Sequence, residues 1–295
     1  MPSPVNDDGE ARPRDTTGGW TVSTATRRGD RATNQDQILV VDGAIAVLDG
    51  ATSWLPHDHR RDGGWYSRVL AGVLARRLPG HGRPLADHLA GAIGELRDTF
   101  DLDPATTPYS TAAVVRWDEQ HLDALVLGDS PVVVHRRAGG AVDALADDRL
   151  EPVAADIRER YRQHLRAGHG FDEEFASIIA ELQTAERRHR NREGGFWVAG
   201  AEPSAAHRAV VGRWAADDVE AVLVMTDGIA AAVREYGLAD WPSLVLQARS
   251  AGVAAVLAAV HDAEATDHDG RRWPRTKRHD DKAVALLARG RIDGV

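Results

Sequence analysis

Ala44-Ile-Ala-Val-Leu-Asp-Gly50 is a short apolar run closed by an acidic residue and a glycine. Its length and composition are those of a buried strand, and Asp-Gly ends such a strand in a turn. The pattern recurs along the chain. Leu122–Leu127 (LDALVL) is followed by Gly128-Asp129, and Val219–Thr226 (VEAVLVMT) by Asp227-Gly228. Trp20–Arg27, Gln37–Asp42, Ser110–Trp117, Val132–Arg136, Arg208–Trp214 and Ala283–Ala288 also carry strand-forming residues between turn signals.

Helical spacing falls elsewhere. Tyr66–Leu78 places Val69, Leu70, Val73, Leu74 and Leu78 on one face, and Leu85–Phe100 does the same with Leu85, Leu89, Ile93, Leu96 and Phe100. Pro242–His261 reads as a third helix, capped by Asp240. The charged stretch Glu151–Arg192 reads as two helices broken near Gly168-His169-Gly170. Strands and helices therefore come in runs. That predicts an α+β fold with helices segregated outside the sheets, not a doubly wound parallel sheet.

Composition narrows the class. Hydrophobic residues at 43% and charged residues at 27% fit a soluble globular protein, and 295 residues suffice for one large domain. No cysteine is present, which excludes disulfides and thiolate metal sites and suits a cytoplasmic location. A net charge of −9 argues against a nucleic-acid partner. The long apolar run Ala248–Val260 contains Arg249 and is too short for a membrane span. Met1–Thr17 is rich in Pro, Asp, Arg and Gly and lacks the apolar middle of a signal peptide, so residues 1–17 are expected to be a disordered leader. Residues 18–295 are expected to form one domain, and a monomer.

Asp36, Asp49, Asp227 and the pair Asp280-Asp281 each stand beside a predicted strand. Any one of them is an ordinary turn residue. Together they suggest carboxylates converging at one rim. Hard divalent cations take such oxygen ligands, and two of them can clamp a phosphate. Gly50 would let a backbone carbonyl approach a cation closely.

At this point the chain resembles the type-2C, metal-dependent serine/threonine protein phosphatases. The resemblance runs from about Trp20 to Ala288. Arg31-Ala-Thr-Asn-Gln-Asp36, Val47-Leu-Asp-Gly50, Ser110-Thr-Ala112 with Leu127-Gly-Asp-Ser130, Met225-Thr-Asp-Gly228 and Asp280-Asp-Lys-Ala-Val284 resemble that family's motifs, in its order. The resemblance implies an antiparallel β-sandwich flanked by helix pairs, in four αββα layers. It also implies a helical flap over about 151–205. It implies two Mn2+ or Mg2+ ions held by Asp49, the Gly50 carbonyl, Asp227 and Asp280, with Asp36 acting at the metals directly or through water. Arg31 would bind the phosphate of a phosphorylated protein, and a metal-bridging hydroxide would attack phosphorus. Asp129 resembles a ligand of a third metal, whose second ligand position holds Ala231 here.

The chain departs from the pattern in places. Ala51 stands where a proton-donating histidine is often found; His57 and His59 are either nearby substitutes or part of a solvated polar loop, in which case metal-bound water would give the proton. Lys282-Ala283 lacks the usual hydroxyl residue. Arg190 or Arg192 would either meet a phosphopeptide near the flap or simply form a charged helix end, beside a tight loop ending Gly194-Gly-Phe-Trp197. The basic loop Arg271-Arg-Trp-Pro-Arg-Thr-Lys-Arg278 would attract phosphorylated substrate, or be merely solvated. A second aspartate two residues after Asp49, a Walker loop and a Gly-x-Ser-x-Gly elbow are all absent. Two rivals stay open from sequence: a catalytically weak phosphatase-like binding domain, and a small-molecule phosphomonoesterase.

Overall fold

Both faces of the central strands are apolar, and this dictates the layering. On β4 (Ala44–Ala51), Ala44, Ala46 and Leu48 point to one side while Ile45 and Val47 point to the other, all fully buried. β11 (Val219–Met225) behaves likewise, with Ala221, Leu223 and Met225 opposed to Val219, Val222 and Val224. Side chains alternate across a strand, so a continuous apolar run demands cover on both faces.

The computed structural model describes residues 9–51, 61–79 and 82–290. Among the described residues, the strands pair antiparallel into two sheets. One runs β1 (Gly9–Asp15), β2 (Trp20–Arg27), β12 (Lys282–Arg289), β11, β8 (Val132–Arg136), β9 (Val142–Leu145). The other runs β10 (Val210–Ala215), β7 (His121–Leu127), β6 (Ala112–Trp117), β4, β3 (Asp36–Val41), with β5 (Tyr109–Ser110) paired to β4. Trp20, Ile45, Val115, Val222 and Leu287 fill the space between the sheets. α1 (Gly63–Arg77) and α2 (Leu85–Phe100) cover the second sheet through Tyr66, Leu70, Leu89 and Ile93. α5 (Asp227–Arg234), α6 (Trp241–Ala251) and α7 (Val253–Thr266) cover the first through Ile229, Val245 and Val256. The expected α+β sandwich in four layers is the architecture observed. No helix among the described residues is long and apolar enough to cross a membrane.

α3 (Ala155–Arg166) and α4 (Glu173–His189) form the inserted hairpin, broken where the glycines stand. They close a cluster of their own around Ile157, Tyr161, Leu165, Phe175, Ile178 and Leu182. The end of the expected flap region does not belong to that cluster. Ala199, Ala201 and Ala206 pack under α1 and α2, and Ser110 and Ala199 exchange backbone hydrogen bonds at 2.9 Å.

The structure corrects several expectations. Residues 9–15 of the supposed leader are a strand: β1 pairs with the outer edge of β2, whose backbone groups would otherwise lack partners. Its register shifts between Ala11 and Arg14, a stretch that includes Pro13, which has no N–H to donate. The helix expected over Pro242–His261 is two, because Gly252 adopts φ 86°, a conformation open to glycine. Asp240 caps the first of them, accepting from the Ser243 N–H. Asp227-Gly228 opens α5 rather than a turn, and the negative side chain suits the helix N-terminus. The basic loop is solvated only in part: Arg271, Arg272 and Arg278 are exposed, but its middle is not. Trp273 is buried with its indole N–H on the Tyr236 carbonyl (2.9 Å), and Arg275 is buried on Asp267 (2.8 Å).

Lys282, at the motif position that departs from the family, is fully buried and ion-paired with Glu264 of α7 at 2.7 Å. Glu264 also accepts from the Tyr236 hydroxyl (3.1 Å) and contacts His279 Nδ1 (2.9 Å). Removing one partner of such a pair leaves an uncompensated buried charge. Lys282→Met should therefore lower stability by about 3–5 kcal/mol in urea unfolding, whereas Lys282→Met/Glu264→Leu should lose less than the two single variants combined.

Candidate metal centre

Four aspartates meet at one end of the sandwich because of strand geometry. Asp36 and Asp49 are direct partners across β3 and β4. Each shares the parity of the residues that face the other sheet: Ile38 on β3, Ile45 and Val47 on β4. From that other sheet, Asp227 follows β11 and Asp280 precedes β12, and β11 and β12 are neighbours. Thr226 joins the sheets here. Its hydroxyl donates to Asp36 Oδ2 (2.8 Å) and accepts from the Ala283 N–H (3.0 Å).

Close backbone contacts hold this end together. A Cβ on Gly50 would lie 2.2 Å from the Gly63 carbonyl oxygen, so β4 and the start of α1 touch only because both residues are glycine. A Cβ on Gly228 would lie 2.1 Å from the Asp281 carbonyl oxygen.

Arg31, Asp49, Gly50, Asp129, Asp227 and Lys277 line a cleft of about 180 Å³. Asp36 is buried at its back, 1% exposed, and Asp280 lines the wider groove beside it. The structure thus brings Arg31, Asp36, Asp49, Gly50, Asp129, Asp227 and Asp280 to one end of the sandwich. The loop carrying Arg31 is clasped by Asp281, whose carboxylate accepts from the Gly29 N–H (2.7 Å) and the Gln35 N–H (2.9 Å). Arg190 also lines this cleft, where it donates to the Pro104 carbonyl (3.0 Å) and lies over the ring of Tyr109, another lining residue. Arg192 is exposed. The glycine loop is tight, since a Cβ on Gly195 would lie 1.9 Å from the His189 carbonyl oxygen. His57 and His59 lie outside the described residues.

Crowding shapes the electrostatics. Burial, then Asp281, pushes Asp36 far above the ordinary carboxylate range, though the Thr226 hydrogen bond opposes this. Burial, then Asp227, does the same to Asp49. Burial, with Asp280 and Asp129, raises Asp227 to about 7. Burial also raises Asp129. Asp280 goes the other way: burial disfavours its charge, but Lys277 outweighs it and holds the carboxyl below its usual value. Lys277 donates to Asp280 Oδ1, and Asp280, Asp49 and Asp227 together overcome burial to keep its ammonium charged. The donor set is wholly oxygen and short of positive charge. That suits hard divalent cations, and the ammonium already standing among the carboxylates marks a place for positive charge.

No family profile and no curated protein matches the chain. Solved structures do. The catalytic domain of the serine/threonine protein phosphatase PstP, in complex with two manganese ions, aligns over 91% of this chain and 97% of its own, at 15% identity and TM-score 0.54. The phosphatase MsPP from Mycobacterium smegmatis aligns over 91% and 98%, at 19% identity and TM-score 0.52. Stp1 from Staphylococcus aureus aligns over 94% and 98%, at 12% identity and TM-score 0.55.

The chain has the protein phosphatase 2C fold.

Within that fold, Ala231 is buried in α5, lines the wider groove together with Asp129, and carries no side-chain atom able to bind a cation. Sequence reasoning missed three side chains of this site. Thr226 and Asp281 stood inside quoted motifs but carried no role. Lys277 stood in a basic loop whose path no periodicity revealed. The one available signal was its position three residues before Asp280.

The raised carboxylates predict a pH effect. A folded-state value near 7 for Asp227 against 3.8 unfolded means the native metal-free protein binds the extra proton in that window. Stability from this group is present at low pH and is lost as pH rises from about 4 to about 7. In chelator, the melting temperature should fall between pH 5 and pH 8, and saturating Mn2+ should flatten the fall.

Proposed function

We propose that this protein is a divalent-cation-dependent phosphatase acting on phosphoserine and phosphothreonine in proteins. The observation that carries the reading is the convergence of Asp36, Asp49, Asp227 and Asp280, from both sheets, on the cleft lined by Arg31. The fold supports it, since the structures it matches are serine/threonine phosphatases.

In this reading Asp49, the Gly50 carbonyl, Asp227 and Asp280 hold two Mn2+ or Mg2+ ions, and Asp36 stands behind them. Cations bound there supply a nucleophile from water near neutral pH and offset charge on the phosphate. Arg31 holds two phosphate oxygens through its planar guanidinium. Asp281 positions Arg31 by fixing the backbone on both sides of it. Thr226 fixes the orientation of Asp36 by donating to Oδ2. Ala51 has no proton to give, so the departing serine or threonine oxygen takes its proton from another donor, water in the cleft or one of the histidines nearby in sequence, His57 and His59.

The test is hydrolysis of a phosphothreonine peptide and of para-nitrophenyl phosphate with Mn2+, with Mg2+ and with chelator. Metal-dependent turnover preferring the peptide is expected. Asp49→Asn and Asp227→Asn should each cut kcat by at least about 100-fold with the fold retained by circular dichroism. Near-normal turnover in either variant would sink the site. Arg31→Ala should raise KM for the peptide about tenfold or more, and unchanged KM and kcat would remove it from the phosphate site.

A further inference from the structure

Only two of the chain's 36 basic residues are lysine, Lys277 and Lys282, and both lie against carboxylates at this end of the fold. Lys282 is accounted for by Glu264. Among the described residues, the carboxylates that act on Lys277 are those of the candidate metal centre, Asp280, Asp49 and Asp227.

Its backbone is tightly held on both sides. Upstream, Trp273 is buried and its N–H donates to Asp267 Oδ2 (2.9 Å). Arg275 grips Asp267 (2.8 Å) and donates through Nε to the Arg278 carbonyl (2.9 Å), bridging over Lys277. Downstream, the His279 N–H donates to Asp30 Oδ2 (3.0 Å), and the Asp30 N–H returns a bond to the His279 carbonyl (3.1 Å). From this fixed base the side chain reaches into the cleft beside Asp49, Gly50 and Asp227 and bonds Asp280. The residue type matters. An ammonium is a compact point charge that can stand where a metal ion would stand, whereas a guanidinium is a broad planar fork. A chain built almost wholly on arginine places a lysine here.

We propose that Lys277 is a tethered cation that occupies the inner cation position when no metal is bound and that a divalent cation must displace to reach Asp280. The inference rests on reading these aspartates as metal ligands. Two consequences follow. The ammonium partly neutralises the carboxylates, so the metal-free protein stays folded. It also competes with metal at a local concentration fixed by the tether, so the apparent metal affinity falls by the fraction of molecules whose seat is open. The protein would then load only above a metal threshold set by one side chain.

The experiment titrates the full chain, stripped by chelator, with MnCl2 in a calorimeter, and melts it in chelator and in saturating Mn2+. Lys277→Met should bind Mn2+ at least about tenfold more tightly than the native protein. It should melt below the native protein in chelator, and the gap should close or reverse in Mn2+. Lys277→Arg, which keeps the charge, should bind Mn2+ less tightly than Lys277→Met. Should Lys277→Met fold only with Mn2+ present, that is the limiting form of the same effect. Native-like affinity in Lys277→Met, or an equal loss of melting temperature with and without Mn2+, would make the lysine merely structural and overturn the inference. Mn2+ binding indifferent to Asp49→Asn would instead overturn the reading of the site, and this inference with it.

Discussion

Asp36 and Asp49 face each other across one rung of the second sheet, and Asp227 and Asp280 arrive from the first. Carboxylates buried this close raise one another's proton affinity, because neither water nor distance relieves the repulsion. Much of the surrounding structure serves to hold them there. Thr226 spans the sheets to satisfy Asp36, Asp281 uses its charge on two backbone N–H groups, and Gly50 and Gly228 allow backbone contacts that a side chain would block. A protein selected for stability alone would fill this end with Val and Leu, as it fills the middle of the same strands.

The parts of the fold legible in the sequence were those whose burial comes from composition. β2, β8 and α2 lie where the apolar runs begin and end, because each is covered on a face that its own residues dictate. β1 was not legible, since Gly-Glu-Ala-Arg-Pro-Arg-Asp carries no strand pattern and owes its conformation to the unpaired edge of β2. β9, four residues long, was too short to register. α5 escaped because Asp-Gly signals a turn and its Ile-Ala-Ala-Ala-Val run suits strand or helix equally.

The site divides in the same way. The aspartates were legible because each closes an apolar run, so the strand that buries them also announces them. Residues that act through long-range placement were not. Asp281 looked like half of a pair of turn residues, yet it clasps a loop about 250 positions away in sequence. Lys277 looked like one charge among several in Arg271–Arg278. What separates it from its neighbours is that Arg272 lies over Trp273, Arg275 grips Asp267 and Arg278 lies over Phe171, leaving the lysine alone directed into the cleft.

The α3–α4 hairpin closes most of its apolar cluster on itself, apart from the three layers of core in the body, with Phe171 meeting Arg275 and Arg278 of the body at its edge. Substitutions inside a closed cluster are compensated by partners a few residues away in the chain, not by the sandwich. The hairpin can therefore drift in length, charge and shape while the strand ends that carry the aspartates stay under constraint. A change of charge at Gln183 or Glu186 would be felt in the cleft they line, whereas changes on the hairpin's outer face would leave the four aspartates as they are.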